Sequence, residues 1–260
     1  MTSGAHDQSE ISSRSLRFLL ILEEVSRIGV PVTPTEISKN LGLAKQTVHR
    51  IFVTLEETGF LQRETDGKHY SAGPRMRTLS LGIMSSVRSR TARLSVMQAL
   101  SDEIGETVNL VIPDRHNMTY LDRVETNWPL RIELSIGTQV PFHCTASGKL
   151  YLSSLPKSRL TPILETRKLE RCTDNTLCDP DLLGRELDEI RKRGYSTDNE
   201  EFVAGMVAVA TPILDANNRM VASLAFHAPT PRMSLEDAVK HLESLQTAAQ
   251  KLSNILREEA

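Results

Sequence analysis

Apolar residues stand one helical turn apart at Ile37 and Leu41, stop at Gly42, and return at Val48, Ile51, Phe52 and Leu55. That spacing predicts two short amphipathic helices separated by a tight turn. The first carries a full start signal: Thr33 as N-cap, Pro34 at the first helical position, and Glu36 placed to reach back to the Thr33 amide as a capping box. Gly42 stands where a left-handed residue ends such a helix. On the second helix Lys45, Gln46, His49 and Arg50 fall mainly off the apolar stripe, which leaves one side polar and free to enter a groove.

The pattern then changes. Gly59 closes the second helix, and Phe60-Leu61-Gln62-Arg63 and Lys68-His69-Tyr70-Ser71 flank Asp66-Gly67, a strong hairpin-turn dipeptide. Upstream, Ser12 or Ser13 is placed to cap a helix carrying Leu16, Leu19, Leu20, Ile21, Leu22 and Val25, wide enough in its apolar face to pack under the other two. Three helices and a hairpin make a winged helix-turn-helix, a unit that mostly binds duplex DNA: the apolar stripe fixes the reading helix while long donors reach base edges and phosphates. Lys45 and Arg50 are the expected phosphate or guanine contacts, Gln46 and His49 the expected readers of base edges, and Lys68 and His69 lie near the wing tip. Thr33 and Thr47 belong to the same expected surface. The alternative is a small-molecule sensor or scaffold whose helix-turn-helix mediates protein contacts.

After the wing, Gly73-Pro74 breaks the strand, and Met76, Leu79, Leu81, Ile83, Met84 and Val87 suggest a linking helix running towards Arg90. Its apolar content exceeds what a bare linker needs, which leaves packing on a second copy or on its own domain. Beyond Thr91, helices alternate with short strands. A helix with Leu94, Met97, Leu100 and Ile104 ends at Gly105, and Thr107 to Ile112 alternates as a half-buried strand should. Met118 to Val124, Leu130 to Ser135, Val203 to Leu214 and Arg219 to His227 are further strands, the last two joined by a turn at Asn217-Asn218. Asp179-Pro180 starts a helix ending near Gly194, and Ser234 starts a terminal amphipathic helix with Leu242, Leu245, Ala249 and Leu252. The expectation is an α+β fold: a winged helix-turn-helix over residues 12–73, a linker helix over 74–90, and an antiparallel sheet with flanking helices over 91–260.

Composition narrows the partners. With Lys+Arg 31 against Asp+Glu 33 in 260 residues, any DNA affinity must come from local patches. The 3 cysteines, Cys144, Cys172 and Cys178, form no CxxC pair and suggest neither a disulfide framework nor a zinc ribbon, which fits a reducing cytoplasm. No apolar run approaches a membrane span, and Met1 to Glu10 is polar, without a signal-peptide core, and is expected to be disordered.

Enzymatic chemistry finds little support. Ser147-Gly148-Lys149 lacks the upstream glycine spacing of a phosphate-binding loop, and Leu150 follows where a hydroxyl for magnesium is needed. His143 and Cys144, adjacent on an expected strand, would point to opposite faces and fail as a base and nucleophile. A zinc site drawn from His143, Cys144, Asp198 and His227 is conceivable by residue type, but no metal or cofactor is expected. Small residues at Ala146-Ser147-Gly148, where the chain feeds a helix running to Leu155, leave amides free for a carboxylate.

Taken in order, Gly42-Leu43, Thr47-Val48-His49-Arg50, Gly105-Glu106-Thr107-Val108-Asn109-Leu110, Pro141 to Lys149, Arg193-Gly194-Tyr195 and Glu200-Glu201-Phe202 resemble the IclR family of bacterial transcription regulators. The resemblance spans both halves, from about Ser12 to about Leu252. It implies a winged-helix domain, a linker helix and a GAF-like domain that binds a small effector, in dimers or dimers of dimers controlling catabolic operons. Similarity to the family's organic-acid binders places Ala146 and Ser147 as backbone donors, with Asp198, Met206, Ala208, Ala225 and His227 around one cavity. The glyoxylate-responding branch has a cysteine in place of Ala208 and serines in place of Ala225 and His227. The differences enlarge and dry the pocket and point away from glyoxylate to a larger organic acid, aromatic in the favoured version, paired with His227.

Overall fold

A computed structural model of the chain describes residues 14–84, 87–114, 117–126, 128, 134–166 and 168–258. They fall into two compact units, one within residues 1–86 and one within 87–260. Ser12, Ser13 and the segment Met1 to Glu10 lie outside the described residues.

In the first unit α1 (Arg14–Ile28), α2 (Pro34–Leu41) and α3 (Lys45–Glu57) enclose a core of Ile21, Val25, Ile37, Val48, Ile51, Phe52 and Leu55. Burying each such side chain contributes about 1.5–3 kcal/mol. The capping box forms as the sequence dictates: the Thr33 hydroxyl accepts the Glu36 amide, and the Glu36 carboxylate accepts the Thr33 amide at 2.6 Å. Gly42, at φ 66°, ends α2 in the left-handed conformation. Leu19, expected in the core, is 62% exposed. It lies two residues from Ile21, about 200° round the helix, and the inward face of α1 is completed by Phe18, Leu22 and Ile28 instead.

The wing pairs β1 (Leu61–Arg63) with β2 (Tyr70–Ala72), and Tyr70 packs edge-on against Phe52 with ring centroids 5.1 Å apart. Lys68 and His69, expected in the second strand, lie in its loop. The Glu64 amide donates to the His69 carbonyl at 2.8 Å, and Asp66 Oδ1 accepts the amides of Lys68 and His69. The Asp66 side chain thus stands in for strand pairing, and the hairpin closes over four residues, not two. Val32 adds a bridge to Tyr70 that the sequence pattern did not show. Helix α4 (Pro74–Met84) follows, with Leu79 53% exposed. Residues 85 and 86 of the expected linker helix, and the side chains of Leu81, Ile83, Met84 and Val87, lie outside what is described.

The second unit is built on one antiparallel sheet of order β5-β4-β3-β8-β7-β6, formed by β3 (Thr107–Asp114), β4 (Asn117–Val124), β5 (Gln139–Pro141), β6 (Ser196–Asn199), β7 (Met206–Leu214) and β8 (Met220–Pro229). Helices α5 (Val87–Ile104), α9 (Leu235–Lys240) and α10 (Leu242–Glu258) pack against the sheet, as does α6 (Ala146–Ser154), with α7 (Lys157–Thr166) and α8 (Pro180–Arg193) beyond it. This is the antiparallel sheet with flanking helices expected of a GAF-like domain. Three expectations change. Thr107 to Val111 is buried at every residue, so β3 is covered on both faces, not half-buried. The terminal helix is interrupted at His241, where φ −86° and ψ 7° split it into α9 and α10. Of the expected strand Leu130 to Ser135, residues 130–133 lie outside the described residues, and Leu134 and Ser135 are not in a strand.

Candidate functional site

The first unit presents a polar helix face. Lys45, Gln46, His49 and Arg50 are exposed along α3 and Thr47 is half-buried, while Val48, Ile51, Phe52 and Leu55 turn into the core. The two helices of the motif start differently. The α2 terminus is closed by Thr33, whose hydroxyl is engaged with Glu36, whereas α3 begins at Ala44 with no side-chain cap. Its first amides therefore remain available to an outside acceptor. In the wing Lys68 is exposed, and His69 is held by Asp66 through Nδ1. Those hydrogen bonds draw the Asp66 carboxyl down to about 2, the His69 and Lys68 amides contributing most.

The second unit holds a small cavity of about 20 Å³, little more than the space of one water molecule. Its wall is the start of α6 at Ala146 and Ser147, with Asp198 from β6, Met206 and Ala208 from β7, and Ala225 and His227 from β8. All seven residues that the sequence assigned to an effector site thus line one space. Register explains part of this: Asp198 pairs with Ala208, and Ala208 with His227, across three adjacent strands. Thr145 caps α6 by accepting the Gly148 amide at 3.1 Å, which leaves the Ala146 and Ser147 amides with no acceptor among the described residues. Two unfilled amides at a helix start are an anion-binding arrangement.

The polar groups around this space are fixed by their neighbours. Arg123, itself buried, donates to Asn109 Oδ1 at 3.3 Å. Because a guanidinium only donates, the Asn109 oxygen must face Arg123 and its amide nitrogen must face His227. The contact from Asn109 Nδ2 to His227 Nδ1, 3.1 Å long, then makes Nδ1 the acceptor and places the ring hydrogen on Nε2. Burial pushes the Asp198 carboxyl up to about 7, opposed by the Glu201 amide that donates to it at 2.7 Å. Burial likewise pushes the Tyr120 phenol on the cavity wall up to about 12, so it stays a hydroxyl at neutral pH. Lys149, for which a phosphate-binding role was set aside, is buried and ion-paired with Glu201.

The sequence matches the IclR helix-turn-helix domain over residues 16–65 and the C-terminal region of bacterial IclR transcriptional regulators over residues 82–254. The chain belongs to the IclR family. It is similar to the probable transcriptional regulator SauR of Cupriavidus necator, 36% identical over 93% of this chain and 96% of that protein. Its fold is similar to the crystal structure of Thermotoga maritima IclR, with TM-score 0.62 and 29% identity over 92% of this chain and 97% of that one. A double mutant of the PobR inducer-binding domain from Acinetobacter, solved with 3-hydroxybenzoic acid, gives TM-score 0.59 at 26% identity over 64% of this chain and 97% of that one. Like these relatives, this IclR-family chain is a transcriptional regulator with a helix-turn-helix unit and an effector-binding type of C-terminal domain, and not an enzyme.

Other features of this IclR-family chain fall into place beside the cavity. His143 and Cys144 lie in a bend, not on a strand, so opposite strand faces do not separate them. They are instead engaged elsewhere, His143 Nε2 with the Glu170 carbonyl at 2.8 Å and Cys144 with Cys172. Among the described residues no group of three or more His, Cys, Asp or Glu gathers as a metal site, and no helix is long and apolar enough to cross a membrane. Asn109, Tyr120, Phe202 and the supporting Arg123 were missed as site residues. For Asn109 a signal was present: if Val108 and Leu110 face one side of β3, a lone amide between them faces the other.

Proposed function

We propose that the α3 face binds operator DNA sequence-specifically and that the C-terminal cavity takes a small organic acid, aromatic or of similar bulk, in a homodimer or dimer of dimers regulating a catabolic operon. The observation that carries the effector reading is the pair of Ala146 and Ser147 amides, open to a carboxylate at the start of α6. Around it Ala208 and Ala225 offer small apolar wall to a ring, for which the cavity widens on binding, while His227 and Asp198 supply polar ends. The 3-hydroxybenzoic acid bound by the PobR domain is an acid of this class.

For DNA, the support is the exposed Lys45, Gln46, His49 and Arg50 beside the uncapped start of α3. Phosphates meet Lys45, Arg50, Lys68 and the free amides, and base edges meet Gln46 and His49. Thr47 lies on the same side, whereas Thr33 and His69 serve the surface by holding α2 and the wing in place. Effector binding shifts the balance between arrangements that fit the operator and those that do not.

Two measurements test the reading. Thermal shift against matched pairs of aromatic carboxylates and their amides should show a raised midpoint only with the acids; equal shifts with both would remove the helix-entrance site. Gel-shift assays on the gene's own upstream DNA should give a discrete complex that unrelated duplex does not compete away. Failure to bind any duplex would favour a protein-contact role for the helix-turn-helix.

A further inference from the structure

Two of the three cysteines, Cys144 and Cys172, lie 28 positions apart in sequence, yet their sulfurs are 3.7 Å apart. Cys144 is fully buried, in the bend just before the Thr145 cap of α6. Cys172 is exposed, on the segment that crosses from α7 to α8. That segment is tied down on both sides of the thiol. The Glu170 carbonyl bonds His143, Thr173 Oγ1 donates to the Glu200 carbonyl at 2.6 Å, and Thr176 Oγ1 donates to the Glu201 carbonyl at 2.7 Å while accepting the Cys172 amide at 3.0 Å. The contact between the sulfurs is therefore held from both ends.

We propose that Cys144 and Cys172 are an oxidation site for hydrogen peroxide, closing to a reversible disulfide that fastens the 168–178 segment to the start of α6. Covalent closure needs the sulfurs to approach to about 2.05 Å, a movement of a side-chain rotamer and a small shift of the segment. The division of roles follows from burial. Exposed Cys172 meets the peroxide, its sulfur taking one oxygen to give a sulfenic acid and one water. Cys144 then attacks that sulfur; the S–O bond breaks, the leaving hydroxide takes the Cys144 proton as the second water, and the S–S bond forms. Proton transfer to the leaving group matters because burial pushes the Cys144 thiol up, so a free thiolate is disfavoured. Thiol reductants reverse the bond by exchange, as expected of a transient sensing disulfide in a reducing compartment.

The site is placed to be felt. Cys144 is two residues from Ala146 on the cavity wall, and Gly148 of the same turn already sits on the Phe142 backbone, where a β-carbon would come within 2.3 Å of the carbonyl oxygen. A pull on Cys144 is thus passed to the helix start with little slack. Cys178, with no sulfur contact to either of the other two given by the structure, is the internal control.

The test uses the reduced full-length protein, diluted to suppress intermolecular pairing and treated with hydrogen peroxide. Alkylation and peptide mapping should show loss of two thiols and one cross-linked peptide pair joining residues 144 and 172, restored by dithiothreitol. The oxidised protein should melt at a higher temperature than the reduced one. Cys172→Ser, at an exposed position, should abolish both effects, and Cys178→Ser should leave them intact. Sulfinic acid accumulating at Cys172 in the unsubstituted protein, with Cys144 still alkylated after unfolding, would overturn the proposal, as would a cross-link through Cys178 or between chains.

Discussion

Asn109 donates to Nδ1 of His227 across two paired strands, 3.1 Å away, because Arg123 occupies the other end of the Asn109 amide. The order of donors sets which face of the imidazole carries hydrogen, so Nε2 is a donor and suits a ligand that accepts. Nitrogen-15 NMR of the histidine rings should therefore show His227 with hydrogen on Nε2. Asn109→Asp, whose side chain only accepts, should draw hydrogen to Nδ1. A hydrogen already on Nδ1 in the unsubstituted protein would contradict this donor order.

Asp198 makes stability depend on pH in a defined direction. Its carboxyl lies at about 7 in the folded chain against 3.8 ordinarily, chiefly because it is buried. Between those values the folded state binds more protons than the unfolded one, so the contribution is whole below the lower value and is lost as pH rises to about 7. The slope approaches about 1.4 kcal/mol per pH unit inside that window. Asp198→Asn keeps an oxygen for the Glu201 amide and removes the ionisation. Its denaturation midpoint, measured from pH 5 to pH 8, should fall less than that of the unsubstituted protein; parallel curves would show that Asp198 ionises without penalty.

The same carboxyl bears on ligand binding. An organic anion placed at the α6 start near Asp198 is repelled once Asp198 is ionised. Affinity for an aromatic carboxylate should weaken as pH rises above about 7, and binding near neutrality should take up protons. Calorimetry in two buffers of different ionisation enthalpy reads that uptake directly. Equal observed enthalpies in the two buffers would separate Asp198 from the ligand.

How much of this was legible depended on how local each signal was. The Thr33 to Gly42 helix was readable because cap, proline, capping-box glutamate and terminating glycine all lie within ten residues and each acts on its neighbours. The wing was legible as a hairpin but not in detail, since Asp66 competes with strand pairing for the Lys68 and His69 amides. On α1, an unbroken apolar run from Phe18 to Leu22 left two faces possible, and Leu19 fell on the outer one. The cavity came from resemblance, not pattern: Asp198, Ala208 and His227 are set beside one another by strand order β8-β7-β6, and the α6 start at Ala146 is laid over them, which no short window contains. Cys144 and Cys172 meet for the same reason, through a segment whose path is fixed by side-chain bonds from Thr173 and Thr176.

Gly148 is required for its lack of a side chain. A β-carbon there would lie 2.3 Å from the Phe142 carbonyl oxygen and 2.5 Å from its Cα, both backbone atoms that cannot rotate aside. Gly148→Ala must lift α6 from the bend that precedes it, even though alanine favours a helix by about 1 kcal/mol over glycine. Overpacking of this kind costs about 1–3 kcal/mol and sometimes more, so the substitution should lower the urea midpoint in spite of its propensity. A stabilised variant would mean that the bend yields freely.

On the DNA side, the contrast between the two helix starts separates positioning from reading. Thr33 and Glu36 saturate the start of α2, whereas α3 begins without a cap beside Lys45 and with Arg50 exposed further along the same helix. If Arg50 holds a phosphate, Arg50→Ala should weaken binding to all duplexes alike and reduce the slope of log affinity against log salt by about 0.9. Gln46→Ala should leave that slope unchanged and relax discrimination at one base pair by about 1–3 kcal/mol. Fluorescence anisotropy on the operator and on singly substituted operators, across a salt series, distinguishes the two. An unchanged slope in Arg50→Ala would place that side chain off the backbone. A changed slope in Gln46→Ala would move the phosphate contact to the first turn of α3, where no side chain caps the helix and the start is open to an acceptor of that kind.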